Sequence, residues 1–271
     1  MAFFPASLAA GVLLASLLLQ NPQPAAPARD KKQKLTVLSY NVHHCNPPEK
    51  PGVIDIDAIA AVVRKSDADL VALQEIDVNT GRSGKRNQAS EIALKAGYTS
   101  FYFGKAMDYD GGGYGVLILS KYPLQETTTH PLPGMSGSQA EPRVLATALL
   151  SLPNGEKIRF GSTHLDAQRA DSNRILQVGE INRIAAAYPE PFIVAGDFNA
   201  VETNPVIQTL DSLFTRTCRP CEPTIEEGGQ PVAIDFIAFR PGDRFSIDRH
   251  EVLPEKKASD HQPVLAVLEI K

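Results

Sequence analysis

The chain has 271 residues, 43% of them hydrophobic and 21% charged, with a formal net charge of −4. That length accommodates one globular domain, or two at most, with a sizeable buried core. A pI of about 5.9 and the lack of any block of like charge argue against a surface built for tight nucleic-acid binding, without excluding a nuclease with a locally basic groove.

Residues 2–19 carry no charge and are mostly Ala, Leu, Phe and Val; the Pro- and Ala-rich stretch Asn21–Ala28 follows. Ala26-Pro27-Ala28 fits a small-x-small cleavage site, so residues 1–28 are expected to be a secretory signal peptide. No Lys or Arg precedes the apolar run, and an uncleaved N-terminal membrane anchor is the alternative. Residues 29–34 are then a short linker and 35–271 one domain, exported to the periplasm or the exterior.

Leu35–Asn41 alternates and ends on polar residues, the pattern of a first strand. His43-His44-Cys45-Asn46-Pro47-Pro48 reads as loop; the two histidines follow Asn41 closely and could line a pocket, but exposed loop residues are the plainer reading. Asp55 or Asp57 caps a helix over 56–64, and Asp69–Glu75 is a second strand, apolar until it ends on Gln74-Glu75. A Gly- and Arg-rich loop, 80–87, is either a substrate-facing basic loop (Arg82, Lys85, Arg86) or a solvated one. Gln88–Ala96 is a short helix closed by Gly97.

Tyr98–Lys105 is strand-like, Asp110–Gly115 a turn, and Val116–Ser120 a buried strand. A further strand runs toward His130, and residues 131–142 are loop. Arg143–Leu152 and Lys157–His164 form a hairpin around Pro153-Asn154-Gly155. Gln168–Tyr188 is the longest helix, with Ile175, Val178, Ile181 and Ile184 on one face.

Phe192–Ala195 is a buried strand that Gly196 ends, and Asp197 and Asn199 follow two residues apart. They point to the same side if the strand persists; the plainer reading is a turn. Pro205–Phe214 is helical, with Asn204 as N-cap and Pro205 at its first position. The last strands are Val232–Phe239, Phe245–Val252 and Pro263–Ile270. Cys218-Arg219-Pro220-Cys221 lacks a second pair to complete a zinc site. It lies in a Pro-rich loop and reads as a local disulfide, with free thiols or redox chemistry as alternatives.

The strand ends together carry Asn41, Glu75, His164, Asp197, Asn199 and Asp260-His261, with Asp235 inside an apolar run. Each alone reads as a cap or a turn. Their recurrence on so many segments points to a site. Carboxylates and carboxamides are hard oxygen ligands suited to Mg²⁺ or Mn²⁺, and histidines beside them suit proton transfer near neutral pH. Metal-assisted hydrolysis of a phosphate ester is the chemistry such a set performs.

These segments resemble the endonuclease/exonuclease/phosphatase superfamily, which includes deoxyribonuclease I, exonuclease III-like nucleases, neutral sphingomyelinases and inositol polyphosphate 5-phosphatases. Leu73-Gln74-Glu75, Glu141-Pro142-Arg143, Thr163-His164-Leu165, Gly196-Asp197-Phe198-Asn199 and Ser259-Asp260-His261 occur in family order, within a resemblance covering residues 35–270. The resemblance implies an α/β four-layer sandwich, two mixed sheets face to face with helices outside. It implies a Mg²⁺ site at Glu75 with Asn41 and Asp260 nearby, Mn²⁺ being the other candidate ion. Asp197 would orient or deprotonate water, Asn199 hold a phosphoryl oxygen, and His261, oriented by Asp235, act as base or phosphate-binding cation. His164 matches the second histidine of the deoxyribonuclease I and sphingomyelinase branches and departs from the exonuclease III-like pattern. Arg143, at a strand start, is a candidate to bind phosphate bidentately, and Tyr114 is a substrate-binding candidate whose alternative is core or turn. The expected substrate is a lipid headgroup, inositol phosphate or other small phosphoester, acted on by a monomer with no protein partner. A secreted nuclease and a non-catalytic binding protein are the alternatives.

Overall fold

The computed structural model describes residues 1–3 and 33–271, so the expected signal segment lies almost wholly outside the described residues. Residues 33–271 lie within one compact unit. In chain order the elements are β1 (Lys34–Asn41), α1 (Ile56–Ser66), β2 (Leu70–Val78), α2 (Gln88–Ala96), β3 (Ser100–Tyr109), β4 (Gly112–Ser120), β5 (Leu124–Leu132) and β6 (Arg143–Ser151). There follow β7 (Lys157–His164), α3 (Ser172–Ala187), β8 (Phe192–Asp197), α4 (Pro205–Asp211), β9 (Thr215–Arg216), β10 (Ile225–Glu227), β11 (Gln230–Val232), β12 (Asp235–Arg240), β13 (Phe245–Val252) and β14 (Val264–Ile270).

Two six-stranded sheets result, ordered β13-β14-β1-β2-β4-β3 and β5-β6-β7-β8-β12-β9. Both are mixed: β1 with β2 and β7 with β8 run parallel, and the other pairs are antiparallel. Three apolar clusters define four layers. Leu35, Val37, Ala72, Ile118, Phe160, Ile193 and Phe239 fill the space between the sheets. Ile59, Val63, Ile92 and Ala93 seat α1 and α2 on the outer face of the first sheet, against Leu38, Val71 and Leu119. Val178, Ile181, Val206 and Leu210 seat α3 and α4 on the second, against Phe192 and Val194. This is the expected four-layer sandwich.

Local signals act as their chemistry dictates. Asp55 caps α1 by accepting from Ala58 N at 2.9 Å, Asn87 caps α2, Asn204 caps α4 with Pro205 next to it, and Gly97 closes α2 in the left-handed region. The β3–β4 turn is only Asp110-Gly111, both at positive φ as a tight hairpin requires, so the strands extend further into 110–115 than the glycines imply.

Several expectations are corrected. The longest helix starts at Ser172 and not Gln168, because the carbonyls of Asp166 and Gln168 are taken by the Arg174 guanidinium. Ile175 is exposed, and the buried face runs through Val178, Ile181 and Ile184. Gly196 does not end its strand: β8 continues through Asp197, and the glycine lets β8 approach β7, since a Cβ there would lie 2.1 Å from Thr163 O. The strand expected to start at Val232 starts at Asp235, and the short β9 and the β10–β11 hairpin had no strong pattern of their own. Cys218 and Cys221 form the expected local disulfide, and Cys45 is a buried free thiol.

Candidate active site

The C-terminal ends of β1, β2, β7 and β8 and the N-terminal ends of β4, β6 and β12 meet at one edge of the sandwich. They open on a cleft of about 280 Å³ lined by Glu75, Tyr114, Arg143, His164, Asp197, Asn199 and His261, among others. A larger depression of about 440 Å³ lies elsewhere, over α1 and residues 255–258, and holds none of these groups.

Asp197 is the hub. It is buried, and its Oδ2 accepts from Asn41 Nδ2 at 3.0 Å and lies 3.5 Å from His164 Nε2 and 3.7 Å from His261 Nε2. Its Oδ1 accepts from Asn199 N at 2.8 Å, while Asn199 Nδ2 donates to Leu165 O at 3.0 Å. Asn199 adopts φ 48°, so the two side chains share the cleft through an Asx turn and not through strand alternation. The turn and the site are the same object.

His261 is held from behind. Its Nδ1 pairs with Asp235 Oδ2 at 2.9 Å, and Asp235 also accepts from Thr224 Oγ1 at 2.6 Å. Register places Asp235 directly opposite Asp197 on β8. Burial pushes the His261 imidazole down, but the carboxylates of Asp235, Asp197 and Asp260 outweigh it and raise its pKa to about 10. Burial and the neighbouring Asp235 charge raise Asp197, against the opposing pull of His261 and Asn41. His164 is the opposite case: burial, then the Arg143 charge, hold it well below the usual histidine range. Arg143 Nη1 is 3.3 Å from His164 Nδ1. A guanidinium can only donate, so Nδ1 accepts and the neutral ring carries its proton on Nε2, toward Asp197. The site therefore sets one cationic and one neutral imidazole on either side of one carboxylate.

Glu75 stands where β2 departs from its ladder. The register with β4 shifts between Leu73 and Ile76, and Glu75 takes φ 60°. A bulge of this kind re-aims one side chain, and a non-glycine residue at such φ is strain typical of functional positions. Asn41 Nδ2 donates to Glu75 Oε1 at 3.1 Å, and His44 Nδ1 lies 3.7 Å from Glu75 Oε2. Burial raises the Glu75 carboxyl, but His44, His164 and Asn41 reverse this and hold it below the usual carboxylate range.

The donor chemistry at Glu75 fits a hard divalent cation: an ionised carboxylate oxygen, Oε2, engaged by nothing closer than His44. Asn41 presents its Nδ2 to the two carboxylates and its Oδ1 to His43 N, so to act as a ligand its carboxamide would turn over. Asp260 lies apart from the cleft lining. It is half-exposed, 4.0 Å from His43 Nδ1, and borders a shallow depression with Glu226 and Lys256. A second donor group, Asp197, Asp235 and His261, keeps its ligand atoms within 4.8 Å of one another. Within it His261 Nδ1 pairs with Asp235 Oδ2 at 2.9 Å and its Nε2 faces Asp197 Oδ2 at 3.7 Å, the arrangement of an acid–base triad.

Other residues enter the site, among them Arg82, as the substrate-facing reading of its loop expects. His44 is mostly buried beside Glu75, contrary to the exposed-loop expectation, because His43, His44 and Cys45 make a left-handed turn that folds back on the strand end. Arg82, Met107, Tyr109, Glu141 and Ala167 complete the cleft wall. Glu141 had a signal in its Glu-Pro-Arg motif; Met107 and Tyr109 had none. Lys85 and Arg86 turn instead to Asp110 O and Glu91.

A model of the endonuclease/exonuclease/phosphatase family matches residues 38–261. An inositol phosphosphingolipids phospholipase C of Schizosaccharomyces pombe is 30% identical over 186 residues, 63% of this chain and 42% of that protein, so the match spans less than half of that relative. An endonuclease/exonuclease/phosphatase from Beutenbergia cavernae superimposes with a TM-score of 0.74 at 23% identity, over 88% of this chain and 72% of the other. A mannosyl-6-phosphatase of Bacteroides thetaiotaomicron gives 0.68 at 18% identity, over 86% and 99%. Identities at this level speak to the fold.

Proposed function

This chain belongs to the endonuclease/exonuclease/phosphatase family, whose members hydrolyse phosphoesters, and from that premise we propose that it is a Mg²⁺- or Mn²⁺-dependent hydrolase of a lipid headgroup, inositol phosphate or other small phosphoester. The observation that carries this reading is Asp197, a buried carboxylate that lines the cleft and is met there by Asn41, His164 and His261.

Glu75, and Asn41 if its carboxamide turned over, would hold a divalent ion, which when bound would supply positive charge to the phosphoryl oxygens. The chain's own groups do the rest. Asp197 accepts the proton of the attacking water, and its raised pKa makes it a better base than an ordinary aspartate. His261, kept protonated by Asp235, donates from Nε2 to oxygen charge that grows in the transition state. His164 donates from its Nε2–H, with Arg143 fixing that tautomer. Asn199 offers its remaining amide N–H to a phosphoryl oxygen, since Leu165 O already holds the group in place. Export, the expectation from the N-terminal segment, is compatible with the Cys218–Cys221 disulfide.

The test is hydrolysis of bis-p-nitrophenyl phosphate by residues 29–271 with Mg²⁺ or Mn²⁺, and its loss with EDTA. No turnover with either ion overturns the reading. Cleavage of plasmid or single-stranded DNA at a higher rate than small esters would instead favour a secreted nuclease.

A further inference from the structure

We propose that Arg82, Tyr109 and Glu141 form a subsite for a polyhydroxylated ring carried by the substrate, a cyclitol or hexose, beside the scissile phosphate. The inference rests on the hydrolase reading above and names the part of the substrate that is not phosphate.

Arg82 is the best-anchored residue of the loop between β2 and α2. Its Nε and Nη2 donate in a fork to Asp77 at 2.7 and 3.0 Å. Asp77 is wholly buried and also accepts from Thr80 Oγ1 at 2.8 Å and Ser83 Oγ at 2.5 Å. Gln88 ties the loop down again, accepting from Asp77 N at 2.9 Å and donating to Ser83 Oγ at 3.1 Å. The Arg82 guanidinium lies over the Tyr109 ring at 4.4 Å and the Tyr114 ring at 5.4 Å. Such clamping removes the entropy that a free arginine would lose on binding.

The clamp also decides what Arg82 can recognise. Asp77 neutralises its charge, so the pair attracts a second anion weakly. Among the described residues Nη1 has no acceptor, which leaves its two N–H groups for the cleft that Arg82 lines. Glu141 lines the same cleft. Its Oε2 accepts from Arg143 Nη2 at 3.1 Å, and among the described residues its Oε1 has no donor. Paired N–H donors with a nearby carboxylate acceptor match adjacent hydroxyls, each of which both donates and accepts. A nucleobase would need a free aromatic face; the guanidinium occupies one face of each tyrosine, and Tyr114 is otherwise buried. A chain of neighbouring phosphates would meet the Glu141 carboxylate. Tyr114 joins the subsite to the reaction centre: its ring sits under Arg82, and its hydroxyl is close enough to Glu75 and Arg143 to feel both charges.

The experiment compares p-nitrophenyl phosphodiesters of myo-inositol, glucose, thymidine and methanol, following release of either alcohol. In the wild type the inositol or glucose ester is expected to exceed the thymidine ester by about tenfold in kcat/KM, the scale of one hydrogen bond to a charged group. Tyr109→Ala and Glu141→Gln, both at partly exposed positions, should bring that ratio toward one, chiefly through KM. Arg82→Lys keeps a cation against Asp77 but loses the Nη1 donors, and should do the same with little change in melting temperature. Equal rates for all rings, a preference for thymidine, or variants that slow every ester alike overturn the subsite. If no ester is turned over, the hydrolase reading fails by itself. The subsite is then decided by titrating inositol 1-phosphate against thymidine monophosphate, where equal Kd values overturn it.

Discussion

The two ends of the layer between the sheets are built from the same strands and serve opposite purposes. Toward one end the inward side chains are Leu35, Val37, Ala72, Phe160, Ile193 and Ile237, and the layer is dry hydrocarbon. Two residues further along the strands, the same faces present Ser39, Gln74 and Ser162, wholly buried and with side-chain polar atoms that meet no partner. At the far end come Asn41, His164 and Asp197, with Asp235 opposite. Strand alternation carries this gradient, since every second residue stays in the layer. The apolar end supplies cohesion. The polar end tolerates buried unpaired groups that the apolar end excludes, which is the mark of a site and not of a scaffold.

Mutations should separate the two ends. At the polar end, Asp197→Asn and His261→Ala should each lower kcat on bis-p-nitrophenyl phosphate by about 10²-fold or more, the scale of an acid–base or charge-stabilising group. Asp197→Asn should not lower the melting temperature, because it removes a buried carboxylate facing Asp235. Wild-type rates in that variant would remove Asp197 from the mechanism. At the apolar end, Phe160→Ala should cost ~3–5 kcal/mol in urea unfolding while the folded fraction keeps its kcat. A large fall in kcat there, at full folding, would dissolve the distinction.

A smaller effect concerns pH. In the metal-stripped protein, His261 titrates at about 10 when folded and at the ordinary histidine value when unfolded. A raised folded pKa means that the folded state binds the extra proton. The resulting stability is complete below about pH 6.5, the unfolded value, and is lost as pH rises toward 10. Melting temperature should therefore fall across that window with EDTA present, and less so in His261→Asn. The smallest effect lies between the ends: Ser162→Ala should change stability by less than about 1 kcal/mol, since among the described residues its hydroxyl has no partner to lose. A larger loss would mean that a bound water bridges this layer.

Much of this was legible before folding. Alternation located the principal strands, polar strand ends marked the site, and Asp55, Asn204 and Gly97 marked helix ends, because each signal acts within a few residues. The bulge at Glu75, the left-handed turn at His44 and the Asx turn at Asn199 were not legible, since their backbone conformations are imposed by what packs around them.

By itself the sequence determined which side chains stand at strand ends and which strands are buried, through short-range periodicity. Only the tertiary structure decided which of those ends converge. Asn41 reaches Asp197 across 156 residues, Arg82 turns into the cleft while Lys85 and Arg86 turn away, and Asp260 stays on the rim. It also decided that His261 is a cation and His164 is not. Both are histidines at strand ends or beside them. Their charges differ because one is buried against carboxylates and the other against an arginine, and that difference exists only once the sheets have closed on each other.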